Sequence, residues 1–284
     1  MTHIHPSSLI LEDRGLISAR GDDSRSFLQG LISNDTGKIT EQTAIYAAFL
    51  TPQGKYLHDF LIIEYEGALL IDCEEARLAD LFKRLKMYKL RADVELEDVS
   101  EQFSVAALFG KSLSDSAIQG CQYEDPRHPE MGLRAIVSKA EAAQVLAEAG
   151  YAPMTREDYD QQRLKLTVPD GSRDLMIDKS TLMESGFDDL SGIDWNKGCY
   201  IGQELTARTK HRGLVKKRMT TVTFDGRPPP AGSIIKAGER DAGEMRSSIG
   251  GIGLALLRVE FLEQGTAELS VEGTPLTPVL PYKA

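Results

Sequence analysis

The chain has 284 residues, 41% hydrophobic and 27% charged, and 33 basic side chains against 43 acidic ones leave a net charge of -10. That length exceeds the size at which one hydrophobic core stops growing, and the composition excludes disordered and fibrous classes. The negative balance repels nucleic acid and anionic membranes on average, so any anion site must be local.

No apolar run approaches the roughly 20 residues that span a bilayer, and the opening MTHIHPSSLILEDRG lacks the basic start and apolar stretch of a secretory signal. Cys73, Cys121 and Cys199 are odd in number and far apart, with no Cys-x-x-Cys pair. This fits a reducing compartment, argues against a disulfide framework and supplies no ferredoxin-type ligand spacing. The expectation is a cytoplasmic protein without a membrane partner. His3 and His5 form a His-x-His pair at a terminus, and no metal site is assigned to them.

In chain order, LILEDRGLISARG reads as two short strands around a turn at Asp13-Arg14-Gly15, and Asp22-Asp23-Ser24 offers capping oxygens for a short helix through SRSFLQGLI. AIYAAFLTPQGKYLHDFLIIEYEGALLIDC holds three β-rich runs separated by Thr51-Pro52-Gln53-Gly54 and Glu66-Gly67, a three-stranded meander. Leu78, Leu81, Phe82 and Leu85 then recur at helical spacing, which predicts an amphipathic helix on a sheet. Strand candidates DVELEDVS, FSVAALFG and MGLRAIVS follow, then a helix through KAEAAQVLAEAG stopped by Gly150, and another over TREDYDQQRLKLT. Such short, hairpin-linked units fit split βαβ, ferredoxin-like folding better than a doubly wound parallel sheet. From Thr220 onward glycine-bounded strand pieces, including GGIGLALLRVEFLEQG and TAELSVEG, predict a small all-β domain.

Several nucleotide and nucleophile motifs fail. Gly251-Ile252-Gly253 has Leu256 at the third glycine position, the run from Gly30 to Gly37-Lys38-Ile39 has the wrong spacing for a phosphate loop, and no Gly-x-Ser-x-Gly elbow is present. Cys73 and Cys121 lie in apolar strand-like runs and read as buried small residues. Cys199 differs: it sits between Gly198 and Tyr200, beside Lys197 and ahead of a short helix from Gly202 to Thr209. Positive charge and a helix N-terminus both favour a thiolate, so Cys199 is the candidate catalytic residue. Behind it Arg208, Lys210, Arg212, Lys216, Lys217 and Arg218, with His211 among them, form the one dense basic run, suited to a carboxylate- or phosphate-bearing ligand.

The stretch KGCYIGQELTAR resembles the signature of the YgfZ group of folate-binding proteins, relatives of the glycine cleavage T-protein. Phe27-Leu28-Gln29-Gly30 with Ser33-Asn34-Asp35, Thr51-Pro52-Gln53-Gly54-Lys55 with Asp59, the segment Arg163 to Asp174 and Gly253-Leu254-Ala255-Leu256-Leu257-Arg258 resemble further family segments in order, across nearly the whole chain. The resemblance implies an α+β fold: a three-subdomain cloverleaf, two ferredoxin-like α/β subdomains plus a C-terminal small β-barrel, around a folate hole. Residues 1–219 would form the folate-binding region and 220–284 the barrel. It also implies tetrahydrofolate as cofactor, iron-sulfur client or assembly proteins as partners, and a role in assembly or repair of iron-sulfur enzymes, including radical enzymes that modify transfer RNA. On that reading Cys199 is the motif cysteine, and Glu184, Lys197, Gly198, Tyr200, Gly202, Gln203, Glu204 and Arg208 are cofactor-binding residues.

There are departures from the family pattern. Thr167 and Val168 replace the usual Gly and Ile, and the T-protein's catalytic aspartate has no clean counterpart, Asp80 lying nearest. A folate-dependent aminomethyl transferase with Cys199 as nucleophile, and an RNA-binding module, stay as alternatives. The net charge disfavours the RNA reading.

Overall fold

Short β-rich runs alternate with helices, and in the computed structural model, which describes residues 5–213, 215–263 and 268–279, they gather into two compact units. His3 lies outside the described residues. The first unit runs to Leu50 and continues through Leu57–Arg156 and Leu190–Ile201; the second holds Thr51–Tyr56, Glu157–Asp189 and the chain from Gly202 onward.

The first unit contains β1 (Ser7–Ile10), β2 (Arg14–Arg20), α1 (Ser24–Gln29), β3 (Ile45–Leu50), β4 (Tyr56–Tyr65), β5 (Ala68–Glu74), α2 (Leu78–Lys89), β6 (Glu95–Asp98), β7 (Phe103–Phe109), β8 (Cys121–Glu124), β9 (Leu133–Ser138), α3 (Ala142–Glu148) and β10 (Ala152–Pro153). They build two five-stranded sheets, β3-β4-β5-β2-β6 and β10-β1-β7-β9-β8. The expected meander is β3-β4-β5, and its second turn pairs Tyr65 with Ala68 across Glu66 and Gly67, both at positive φ as a two-residue hairpin demands. Leu78, Leu81 and Leu85 put one face of α2 into the core with Phe49, Leu57, Ile62 and Ile71.

The two short strands expected at the N-terminus are present, and their partners lie elsewhere in the chain. β1 and β2 form but do not pair with each other: β1 joins β7 and β10, whereas β2 joins β5 and β6. A turn signal tells where a strand ends and not which neighbour it takes.

A chain of buried charges links the two sheets. Asp72 of β5 accepts from Arg14 of β2 at 2.6 Å and from Arg134 of β9 at 2.5 Å, and Arg134 also reaches Asp125, which Arg127 grips as well. The Asp72 and Arg134 side chains are 1% and 2% exposed. Burial alone would favour a neutral Asp125, but Arg127 and Arg134 outweigh it and hold the carboxyl well below the usual range.

The second unit contains α4 (Arg156–Lys165), α5 (Gly171–Asp174), α6 (Gln203–Arg212), β11 (Lys217–Thr223), β12 (Ile234–Ala237), β13 (Arg240–Ile249), β14 (Ile252–Arg258), α7 (Val259–Glu263), β15 (Leu269–Val271) and β16 (Thr274–Pro278). The six strands close into a barrel in the order β11-β14-β13-β12-β15-β16. Val222, Ile235, Met245, Leu257, Leu269 and Leu276 fill its interior. The stretch read as one strand-like piece through GGIGLALLRVEFLEQG is in fact β14 followed by the helical turn α7, whose Phe261 and Leu262 plug the barrel core. The α+β class with a C-terminal barrel is therefore the architecture found. Among the described residues no helix is long and apolar enough to cross a membrane.

Candidate functional site

The motif KGCYIGQE crosses from the first unit to the second between Ile201 and Gly202, and each half is gripped by a different N-terminal segment. In the first unit Lys197 is buried, and its ammonium donates to the carbonyls of Gln29, Ile32 and Asn34 at 2.9, 2.7 and 2.7 Å. Asp194 accepts from the amides of Asn196 and Lys197 at 2.6 and 2.9 Å and pairs with Lys38. Ser33 donates to the carbonyl of Gly192, Asn34 to that of Ser191, and Ile201 N–H to that of Gly30. The FLQG and SND segments thus nail down both ends of the loop that carries Cys199.

Gly198 and Cys199 are exposed at its crest, and apart from its own chain neighbours nothing lies within 4 Å of where a Gly198 Cβ would sit. Tyr200 is buried, with its ring 5.1 Å from the Lys197 ammonium. Burial pulls the Lys197 ammonium down to about 8, with Asp35 and Asp194 opposing, so it is still charged at neutral pH. Its charge serves three carbonyls as well as lying one residue from Gly198, which the sequence alone does not reveal.

In the second unit Gly202, at φ 80, is the N-cap of α6. Gly54 of the Thr51-Pro52-Gln53-Gly54 turn packs onto this helix start. A Cβ there would meet Leu205 Cβ at 2.7 Å and the Gly202 carbonyl at 2.8 Å, so only glycine fits. Glu204 and Arg208 are exposed along α6 and Gln203 is half-buried. Glu184 is half-buried, its Oε2 accepting from Thr181 at 3.2 Å, and its backbone carbonyl takes the Met219 N–H. The basic run does not form one solvated face. Arg208, Lys210, His211, Arg212 and Lys216 are exposed, but Arg218 is buried between Asp188 and Asp189 because β11 turns it toward the Met183 carbonyl.

Cys73 and Cys121 are buried as expected, at 2% and 3% exposure, and burial drives both thiols up, Cys121 to about 12. Neither can act as a thiolate near neutral pH. Among the described residues no group of three or more His, Cys, Asp and Glu is placed to hold a metal ion. Sequence reasoning missed the buried polar set of the first unit: the Tyr46 hydroxyl donates to Asp59 at 2.9 Å, both buried, and Arg127 stacks 5.8 Å from the Tyr46 ring. Burial and Asp59 push the Tyr46 phenol well above its ordinary value, so it remains a donor. A signal existed, since Asp59, Asp72 and Arg134 each interrupt an otherwise apolar strand run.

Residues 216–284 match the CAF17 C-terminal beta-barrel domain. The chain is 33% identical to the mouse mitochondrial iron-sulfur cluster assembly factor IBA57, over 89% of this chain and 78% of that protein. It is 31% identical to the mitochondrial IBA57 homologue of Aspergillus clavatus, over 96% and 74%. With the Mycosarcoma maydis homologue identity is 35% over 77% of this chain, which spans 58% of that relative's length. A solved structure, the glycine cleavage system aminomethyltransferase T from Bartonella henselae, superposes with a TM-score of 0.79 over 99% of this chain and 86% of its own, at 15% identity, a likeness of fold.

These relatives are mitochondrial proteins, which overturns the expectation of a cytoplasmic one. Widely spaced, unpaired cysteines argue against a disulfide framework but do not tell one reducing compartment from another. With identity above 30% along most of both chains, this protein belongs to the IBA57 family of iron-sulfur cluster assembly factors.

Proposed function

We propose that this chain serves iron-sulfur cluster assembly by offering the Cys199 sulfur to a partner protein, with tetrahydrofolate as bound cofactor and radical enzymes that modify transfer RNA among its clients. The observation that carries the reading is the exposed Cys199 on a loop immobilised by Lys197 and Asp194. An exposed thiol on a fixed loop is a ligand ready for exchange. One thiolate cannot hold a cluster alone, because clusters take about four protein ligands. The cluster is therefore cargo, and the remaining ligands come from the partner.

For the folate, the donor set fits in kind. Glu184 has a carboxylate oxygen beyond the one taken by Thr181, suited to the N–H groups of a pteridine ring, and Arg208 is an exposed guanidinium suited to the glutamate carboxylates. A reduced folate bound there would supply one-carbon chemistry.

Reconstitution of a client [4Fe-4S] enzyme with the wild type and with Cys199→Ser tests the thiol. Loss of most of the stimulation is expected, and equal stimulation would remove Cys199 from the role. In parallel, tetrahydrofolate should bind saturably and at least tenfold more weakly to Glu184→Ala or Arg208→Ala. No binding to the wild type discards the cofactor while leaving the thiol result standing.

A further inference from the structure

The segment from Arg163 to Asp174 supplies none of the residues assigned to the thiol or to folate, yet it forms one wall of a cavity of about 460 Å³ in the second unit. The other walls are the loop with Pro228, Pro229 and Pro230, and β13 from Arg246 to Ile249. The charged side chains lining it are Arg163, Arg173 and Arg246 with Asp160, and Asp174, Asp170 and Glu244 pair with the three guanidiniums in turn, so recognition there rests on open N–H groups and not on an excess of positive charge.

Two of these guanidiniums are buried and incompletely bonded. Arg163, 1% exposed in its side chain, donates from Nε to Asp160 at 2.6 Å and from Nη1 to Asp174 at 2.7 Å, while its Nη2 has no partner. Arg246, 7% exposed, donates from Nη1 to Glu244 at 2.7 Å and from Nη2 to the Met176 sulfur at 3.5 Å, and its Nε has none. The carboxylates behind them are committed. Asp174 also accepts from the amides of Asp170 and Ser247, and Asp160 is shared between Arg163 and Arg173.

Buried N–H groups without acceptors are rare and call for a partner. A single water occupies about 30 Å³, whereas this volume falls within the roughly 300–1,000 Å³ of small-molecule sites. The polyproline wall contributes no N–H, so recognition rests on the arginine side. Guanidinium forks match planar carboxylates and phosphates.

We propose that this cavity binds a small organic anion whose carboxylate or phosphate accepts from Arg163 and Arg246. The site shares no residue with the thiol loop or with Glu184 and Arg208, so it stands or falls apart from the proposed function.

The test is isothermal titration of the full chain at constant ionic strength, with inorganic phosphate in one arm and citrate in the other. Saturable binding at one site per chain is expected for at least one anion, and the stronger arm identifies the head group. Affinity should fall at least tenfold in Arg246→Gln and hold in Arg240→Gln, a β13 cation that is 64% exposed and paired with Glu260. Should Arg246→Gln fail to fold, Arg173→Gln, 43% exposed, takes its place with a weakening of severalfold expected. No saturable binding of either anion to the wild type overturns the proposal. So does undiminished affinity in the folded cavity variant, or a response that sodium chloride reproduces.

Discussion

Lys197 and His58 show how a side chain's surroundings decide its chemistry. Cys199 was legible because glycine and a basic neighbour flank it, and the structure does expose it; that Lys197 bonds three carbonyls was not legible, because those oxygens come from residues 29–34, far away in the chain. His58, 4% exposed in β4, was not legible at all. Its Nε2 lies 2.9 Å from Asp80 Oδ2, and burial together with Arg77 pulls it down to about 4 despite that carboxylate. The ring is therefore neutral in the folded chain at pH 6. In the unfolded chain its value returns to about 6.5, so between about 6.5 and 4 the unfolded state binds more protons and stability falls as the pH is lowered. Urea unfolding should lose up to about 3 kcal/mol across that window through this residue. His58→Gln should flatten the slope, and an unchanged slope would assign the acid sensitivity elsewhere.

At the scale of elements, turn chemistry was the most readable feature and strand partnership the least. Glu66-Gly67 announced a hairpin, and a second of the same kind joins β15 to β16 through Glu272 at φ 48 and Gly273 at φ 83. The strand β8 escaped notice because its four residues, CQYE, carry too little apolar pattern, and α7 escaped because VEFLE is as apolar as the strand before it. Glu272 is exposed and holds a left-handed conformation that asparagine tolerates better, whereas Gly273 has open space where a Cβ would go, so only backbone strain opposes alanine there. Thermal unfolding should therefore rise for Glu272→Asn by the equivalent of about 0.5 kcal/mol and fall for Gly273→Ala by about 1 kcal/mol. Equal shifts of the same sign would show that this turn does not limit the barrel.

For the whole molecule, the chain's own order separates what could be read from what could not. The first unit is assembled from three stretches and the second from three more, an interleaving that no local pattern announces. The barrel is different. All six strands lie between Lys217 and Pro278, and the twelve residues of its core cluster, from Val222 to Leu276, belong to the same continuous stretch. That is why glycine-bounded strands near the end of the chain sufficed to predict it. The same continuity predicts that a fragment of residues 216–284, the span of the matched domain, folds alone. Excision removes polar partners: Asp188, Asp189 and the Met183 carbonyl for Arg218, the Glu184 carbonyl for Met219 N–H, the Leu164 carbonyl and the Thr167 hydroxyl for Thr221, the Met176 sulfur for Arg246 and the Asp174 carboxylate for Ser247 N–H. Water replaces these once the groups are exposed, so the cost falls on the surface while the apolar core stays whole. Far-ultraviolet circular dichroism of the fragment should show β structure and a cooperative urea transition, at lower stability than the full chain because small domains bury less of their surface. A fragment without a cooperative transition would mean that the polar seam with residues 164–189 is part of what folds the barrel, and the domain would then have to begin upstream of Lys216.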